Sequence, residues 1–206
     1  MTTPTVIELA GPPASGKTTT ASLLWELLLD AGYRAAIVRE AAERAPFPPE
    51  MKRDWRFTAW TLFQTVSEVL RLDRETSEYD FVIFDRGLVD EQCWIEWFAS
   101  RRQMDAHTSG LLTSVATDEQ WFPKKELLFV LTVKFETAVR RRGLGRIINE
   151  QTYDELARIY ARFPSSVAKR QHLGYWSVAT DQLTSTEVAE TVFRSVLDQQ
   201  PIAHRA

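Results

Sequence analysis

Cysteine is nearly absent. The single Cys93 cannot close an intrachain disulfide, so a reducing, cytoplasmic setting is the expectation. Histidine is almost as scarce: His107, His172 and His204 lie far apart, which argues against a His/Cys zinc site. With 8 glycines and 9 prolines in 206 residues, neither is frequent enough for a low-complexity or collagen-like chain. No apolar run approaches the ~20 residues that span a bilayer. The polar N-terminus lacks the basic flank and apolar core of a signal peptide, so no membrane partner is expected. Positive charge is not in excess either: the formal net charge of −3 argues against a nucleic acid polymer as partner. What remains is 44% hydrophobic and 26% charged residues, enough for one compact domain and short for two.

Short apolar runs alternate with longer amphipathic segments, the pattern of an α/β fold with a parallel sheet. Thr5–Ala10, Ala35–Arg39, Asp80–Phe84, Leu127–Val133 and Trp176–Ala179 read as strands. Helices are expected over the stretch carrying Leu23, Leu24, Leu27 and Leu28, from Lys52 to about Thr76, over Glu91–Ser100, from near Phe135, over Glu150–Arg162 before Pro164, and over Thr184–Leu197. Gly32 reads as a helix C-cap, and Thr184 with Glu187 as a capping box. Ala45–Pro49 reads as a proline-rich loop. No repeat or long linker divides the chain, so residues 1–206 are expected to form one domain.

The strongest motif is Gly11-Pro12-Pro13-Ala14-Ser15-Gly16-Lys17-Thr18, which satisfies G-x-x-x-x-G-K-[ST] between a strand and a helix. Its glycines let successive N–H groups converge on phosphate oxygens, and the helix N-terminus adds partial positive charge. Lys17 would neutralise the β- and γ-phosphates of ATP, and the Thr18 hydroxyl would coordinate Mg²⁺. Thr19 continues the loop into the helix. A nucleoside triphosphate site follows.

Other charged residues are expected at the same sheet edge, where ligands of open α/β sheets bind. The third strand ends in Asp85-Arg86; Asp85 could hold Mg²⁺ through water and Arg86 could clamp a phosphate, or the two could form a strand-end salt bridge. The second strand ends in Val38-Arg39-Glu40, where Glu40 could take a hydroxyl proton, or merely start a solvated helix. Arg140-Arg141-Arg142-Gly143-Leu144-Gly145-Arg146 packs four arginines into seven residues. Its glycines suggest a hinged flap that expels water and stabilises the transferring phosphoryl group; the plainer alternative is a surface patch. The local concentration of positive charge speaks for a small polyanion within an acidic chain.

These residues, with Gly145-Arg146-Ile147-Ile148-Asn149-Glu150 and Tyr153, resemble the thymidylate kinase and deoxynucleoside kinase branch of the P-loop kinases, from Thr5 to about Leu197. The resemblance implies a three-layer P-loop NTPase sandwich with a five-stranded parallel sheet in the order 2-3-1-4-5. It also implies an arginine-bearing LID, about residues 138–150. By position, Lys17 and Thr18 would serve ATP·Mg²⁺ and Arg86 the reaction centre, while Arg142 and Arg146 would be LID arginines. Glu40 would be the general base, and Asp181-Gln182-Leu183 would lie against the adenine. Phe63-Gln64 resembles the Phe-Gln pair by which deoxynucleoside kinases hold a pyrimidine, although Phe63 at helical spacing with Trp60 also reads as core. Asp90 could bond a sugar hydroxyl or start a helix. The chain departs from the pattern with Ala41 where proline is common, with a loop spelled like those of adenylate and uridine kinases, and with Gly87 where serine or an aromatic is usual.

The implied activity is ATP- and Mg²⁺-dependent phosphoryl transfer to a small-molecule acceptor, most naturally a nucleoside or nucleoside monophosphate. A hydroxylated non-nucleotide such as an antibiotic is the alternative acceptor, and a nucleotide-dependent switch the alternative class. The sequence leaves the oligomeric state open, a homodimer included.

Overall fold

A computed structural model describes residues 4–74, 78–118, 120, 126–143 and 149–199. Strands β1 (Thr5–Ala10), β2 (Ala35–Val38), β3 (Phe81–Asp85), β4 (Glu126–Thr132) and β5 (Gly174–Ala179) form one parallel sheet in the order β2-β3-β1-β4-β5. That is the order the resemblance implies. Helices α1 (Lys17–Asp30), α2 (Trp55–Arg74), α3 (Leu88–Ser100), α4 (Ala106–Thr117), α5 (Phe135–Arg142), α6 (Glu150–Gln171) and α7 (Ser185–Asp198) complete the described elements, with short 3₁₀ turns at Ala41–Arg44 and Pro49–Arg53.

The alternation of strand side chains builds the layers. Ile7 and Leu9 of β1, Ile83 of β3 and Phe129 of β4 face Ala21, Leu24 and Leu28 of α1 and Val192 and Val196 of α7. Each fully buried aliphatic side chain there contributes about 1.5–3 kcal/mol. The opposite face, with Ala10, Leu128 and Val130, packs against α2, α3, α4 and α6. Chain connections leave β1 towards one edge and β4 towards the other. A crevice therefore opens at the carboxyl ends of these two central strands.

Several boundaries differ from the sequence expectation, each for a physical reason. Helix α2 starts at Trp55 rather than Lys52, because Pro49–Arg53 winds into a 3₁₀ turn and Asp54 Oδ1 accepts the Arg56 N–H at 2.9 Å. Helix α6 runs through Pro164 to Gln171; the lost backbone bond is offset by burying Pro164, Val167 and Ala168. Helix α4 has no counterpart in the sequence reading. Its Ser-, Thr- and Gly-containing stretch has weak helix propensity, but Asp105 caps it by accepting the Thr108 N–H at 2.9 Å, and Leu112 and Ala116 bury one side. The capping box of Thr184 and Glu187 forms as expected. No helix among the described residues is long and apolar enough to cross a membrane.

Candidate functional site

The phosphate loop leaves β1 at Gly11, whose φ of +150° and tight surroundings admit no side chain: a Cβ there would strike the Leu131 carbonyl oxygen of β4. Gly16 precedes α1 in the left-handed region, φ 98°, and no side chain caps the first turn of that helix. Its leading N–H groups therefore face the crevice with the positive end of the helix dipole. Lys17 is buried, and its Nζ donates to the carbonyls of Gly11 at 2.6 Å and Pro12 at 3.0 Å. Burial, and next the Arg86 guanidinium, bring its ammonium down to about 8.

Beside the loop, β3 delivers Asp85 and Arg86. Both Asp85 carboxylate oxygens are buried without a hydrogen-bond partner. Burial raises the carboxyl, and Thr18, close by but outside ordinary hydrogen-bond geometry, tempers the rise together with Lys17. A buried carboxylate with free lone pairs next to a threonine hydroxyl suits a hard cation that takes its remaining oxygens from phosphate and water. Thr18 and Asp85 would thus hold Mg²⁺.

Arg86 adopts φ 71°, a costly conformation for a side-chain-bearing residue at the end of a buried strand. Its guanidinium is fixed from two sides: Nη1 donates to Asp90 Oδ2 at 2.7 Å, and Nε lies 2.9 Å from Glu40 Oε1. Burial alone would lower the guanidinium, but Asp90 and Glu40 outweigh it and keep it charged. Glu40 gains in return. Burial pushes its carboxyl up, yet Arg86 and Lys17 more than offset that and hold it below the usual carboxylate range.

Two cavities flank these residues. One, about 310 Å³, is lined by the loop from Ala14 to Thr20, by Arg141, and by Thr180, Leu183, Ser185 and Val188. The other, about 370 Å³, lies under α2 and is lined by Phe57, Thr58, Thr61, Gln64, Glu91 and Trp94, with Arg39, Arg44, Lys52 and Arg53 around it. Glu40, Arg86 and Arg142 belong to both walls. In the second cavity Thr61 Oγ1 lies 3.0 Å from the Thr58 carbonyl and 2.8 Å from Glu91 Oε2. Burial, with Asp90 nearby, pushes the Glu91 carboxyl well up, and the Thr61 hydroxyl tempers the rise.

The expected residues separate on this geometry. Lys17, Thr18, Thr19, Ala14, Ser15 and Gly16 line the loop cavity, Gln64 and Pro13 line the cavity under α2, and Glu40, Arg86 and Arg142 stand between. Gly11 and Pro12 act through their backbone, holding Asp90 and Lys17. Phe63 is 53% exposed on the outer side of α2, one residue from Gln64 but turned roughly 100° around the helix. It is neither core nor cavity wall. Asp90 is fully buried: Oδ1 accepts the Gly11 N–H at 3.0 Å and the Tyr160 hydroxyl at 2.8 Å, and Oδ2 accepts from Arg86. It positions other groups and has no free face for a sugar. Asp181 accepts the Lys134 N–H at 3.0 Å and is not part of the cavity wall, whereas neighbouring Thr180 and Leu183 are. Arg141 donates to the Ala14 carbonyl, to Thr180 Oγ1 and to the Thr180 carbonyl, tying α5 to the loop and to the end of β5. Arg146, with Leu144 and Gly145 of the arginine segment and positions 147 and 148 of the expected LID, lies outside the described residues.

The sequence reading missed Glu8 and Tyr160. Glu8 sits inside the apolar run Val6-Ile7-Glu8-Leu9, and a carboxylate in a strand buried on both faces was the available signal. Gly87 follows from it: a Cβ at Gly87 would collide with the Glu8 carboxyl.

No protein-family model matches the sequence, and no curated protein does. Solved structures do match. A deoxyadenosine kinase from M. mycoides, in a structure with the products dCMP and a flexible dCDP bound, superposes with a TM-score of 0.71 at 16% identity, over 94% of this chain and 99% of that one. The same enzyme with dATP bound gives 0.69 at 16% identity, over 94% and 99%. The thymidylate kinase from Candida albicans gives 0.66 at 14% identity, over 95% and 92%. With its strand order, phosphate loop and near-complete overlap, the chain has the fold of the P-loop deoxynucleoside and thymidylate kinases.

Proposed function

We propose that the chain is an ATP- and Mg²⁺-dependent kinase that transfers the γ-phosphoryl group to a nucleoside or nucleoside monophosphate. The observation that carries this reading is the meeting of two cavities at Glu40, Arg86 and Arg142. The loop cavity takes the triphosphate on the N-terminus of α1. Lys17 exchanges the Gly11 and Pro12 carbonyls for phosphate oxygens. Bound at Thr18 and Asp85, Mg²⁺ would neutralise charge on the β- and γ-phosphates. Arg86 and Arg142 stabilise the equatorial oxygens as the phosphoryl group passes between the cavities. With a nucleoside as acceptor, Glu40, held below the usual carboxylate range and within reach of the junction, receives the hydroxyl proton; a monophosphate attacks through an ionised phosphate oxygen and needs no base, leaving Glu40 to hold Arg86.

The acceptor side supports a nucleobase. Gln64 offers paired donor and acceptor groups, Glu91 adds a carboxyl, and Trp94 supplies an aromatic face. Lys52, Arg53 and Arg39 line the same cavity, where Arg44 is already paired with Glu68, and favour the anionic monophosphate over the neutral nucleoside. The test is acceptor-dependent ADP release from MgATP across a panel of nucleosides, nucleoside monophosphates and hydroxylated antibiotics. Release with the monophosphates is expected. Release independent of any acceptor would replace the kinase with a nucleotide switch, and release with an antibiotic alone would move the acceptor out of the nucleotide class.

A further inference from the structure

Glu8 is a carboxylate 1% exposed in the middle of the sheet. A leucine there would fill the strand without desolvating a charge, so the position asks for a reason. Its oxygens supply one. Oε1 accepts the Asp90 N–H at 2.7 Å and Oε2 accepts the Val89 N–H at 3.1 Å, both in the first turn of α3. The residue before that helix, Gly87, has no side chain to cap it. Glu8 therefore caps α3 from the neighbouring strand, and the absence of a Cβ at Gly87 is what lets it come so near.

The capped residue is the hub of the site. Asp90 takes its backbone bond from Glu8 and, with its carboxylate, holds Gly11 at the start of the phosphate loop, Arg86 at the junction of the cavities, and Tyr160 on α6. On the same face of the sheet, two positions back on β4, stands Glu126, whose carboxyl burial foremost, and then the charge of Glu8, drive well above the usual range.

We propose that Glu8 is a positioning residue of the reaction centre: it fixes the first turn of α3 and, through Asp90, sets Arg86 and the Gly11 end of the phosphate loop. The catalytic consequence rests on the kinase reading, whereas the coupling rests on geometry alone.

The experiment uses the full chain carrying Glu8→Gln, with Glu126→Gln for comparison. Hydrogen exchange is followed by NMR at the amides of Val89, Asp90 and Gly11, and kcat and KM for ATP are measured with the acceptor that the panel selects. A glutamine at position 8 keeps one acceptor oxygen and turns an NH₂ towards a backbone N–H. Exchange should then rise about tenfold at Val89 and Asp90 and also at Gly11, which Glu8 does not touch. The kcat should fall about tenfold or more while KM for ATP stays within about threefold. Glu126→Gln leaves both Glu8 oxygens on the Asp90 and Val89 N–H groups, so its losses should be smaller on every readout. Faster exchange at Val89 and Asp90 with Gly11 and kcat unmoved would reduce Glu8 to a local cap and overturn the proposal. A uniform rise across the sheet, or equal effects of the two variants, would overturn it too. If wild type releases no ADP with any acceptor, the kinase reading fails while exchange at Gly11 still decides the coupling. Should Glu8→Gln not fold, Gly87→Ala drives a methyl group against the Glu8 carboxyl and is read at the same amides.

Discussion

Replacing Asp90 by asparagine isolates the charge at the hub from its shape. The amide oxygen can still accept from the Gly11 N–H and the Tyr160 hydroxyl, both of which bond Oδ1. Its NH₂ then faces the Arg86 Nη1 that now donates to Oδ2 at 2.7 Å. A guanidinium whose side chain is 14% exposed loses its fully buried counter-charge and meets a second donor instead. Removing one partner of a buried pair costs about 3–5 kcal/mol. Arg86 retains Glu40 at 2.9 Å, in a setting where the Glu40 side chain is 22% exposed, which places the loss at the lower end, about 3 kcal/mol.

Urea denaturation measures that loss directly, and in a chain of this size it lowers the thermal midpoint by about 6–12 °C. Glu155→Gln is the control. It breaks a pair with Arg101 whose side chains are 33% and 30% exposed, and should cost no more than about 1 kcal/mol. An Asp90→Asn penalty indistinguishable from the control would refute the reasoning, because Arg86 would then owe its placement to something other than Asp90.

Three further outcomes follow from the same geometry. Lys17 titrates near 8 in the free protein, and phosphate favours its charged form; MgATP binding should therefore take up close to one proton at about pH 9 and little at about pH 7. Calorimetry in buffers of different ionisation heat reads this uptake, and Lys17→Ala should abolish it. Gly11→Ala pushes a methyl into the Leu131 carbonyl at a φ that side chains rarely adopt, and should cost about 3 kcal/mol or more in urea along with nucleotide binding. Glu8, driven up from 4.5 to about 7 by burial foremost, binds its proton more tightly folded than unfolded. Its contribution is complete below pH 4.5 and is lost as pH rises through 7, so the stability difference between wild type and Glu8→Gln should drift against wild type across that window.

The phosphate loop was legible because it is local in sequence. Gly11 to Thr18 act as consecutive residues on one strand-loop-helix turn, and their spelling carries their geometry. The sheet order came with the resemblance, and the apolar runs placed all five strands to within two residues. Residues that act across the fold were harder to read. Asp90 reads as a sugar ligand or a helix start; it stands in the first turn of α3, but nothing in its neighbourhood announces that Gly11, 79 positions away, and Tyr160, 70 positions away, both bond it. Phe63 reads both as core beside Trp60 and as the partner of Gln64; it is 53% exposed and neither, because side chains at consecutive helical positions diverge too far for both to face one cavity. Among the three arginines Arg140–Arg142, position alone could not say that Arg141 would be spent on Thr180 and Ala14 while Arg142 reached the junction.

On the proposed function, both cavities serve one transferred phosphoryl group. Calorimetric binding of a bisubstrate analogue, adenosine joined through its phosphate chain to the 5′ oxygen of a nucleoside, tests it most directly. A Kd about 100-fold or more below that of MgATP is predicted, with Gln64→Ala weakening the analogue but not MgATP. Equal affinity for the analogue and MgATP, unmoved by Gln64→Ala, would contradict it.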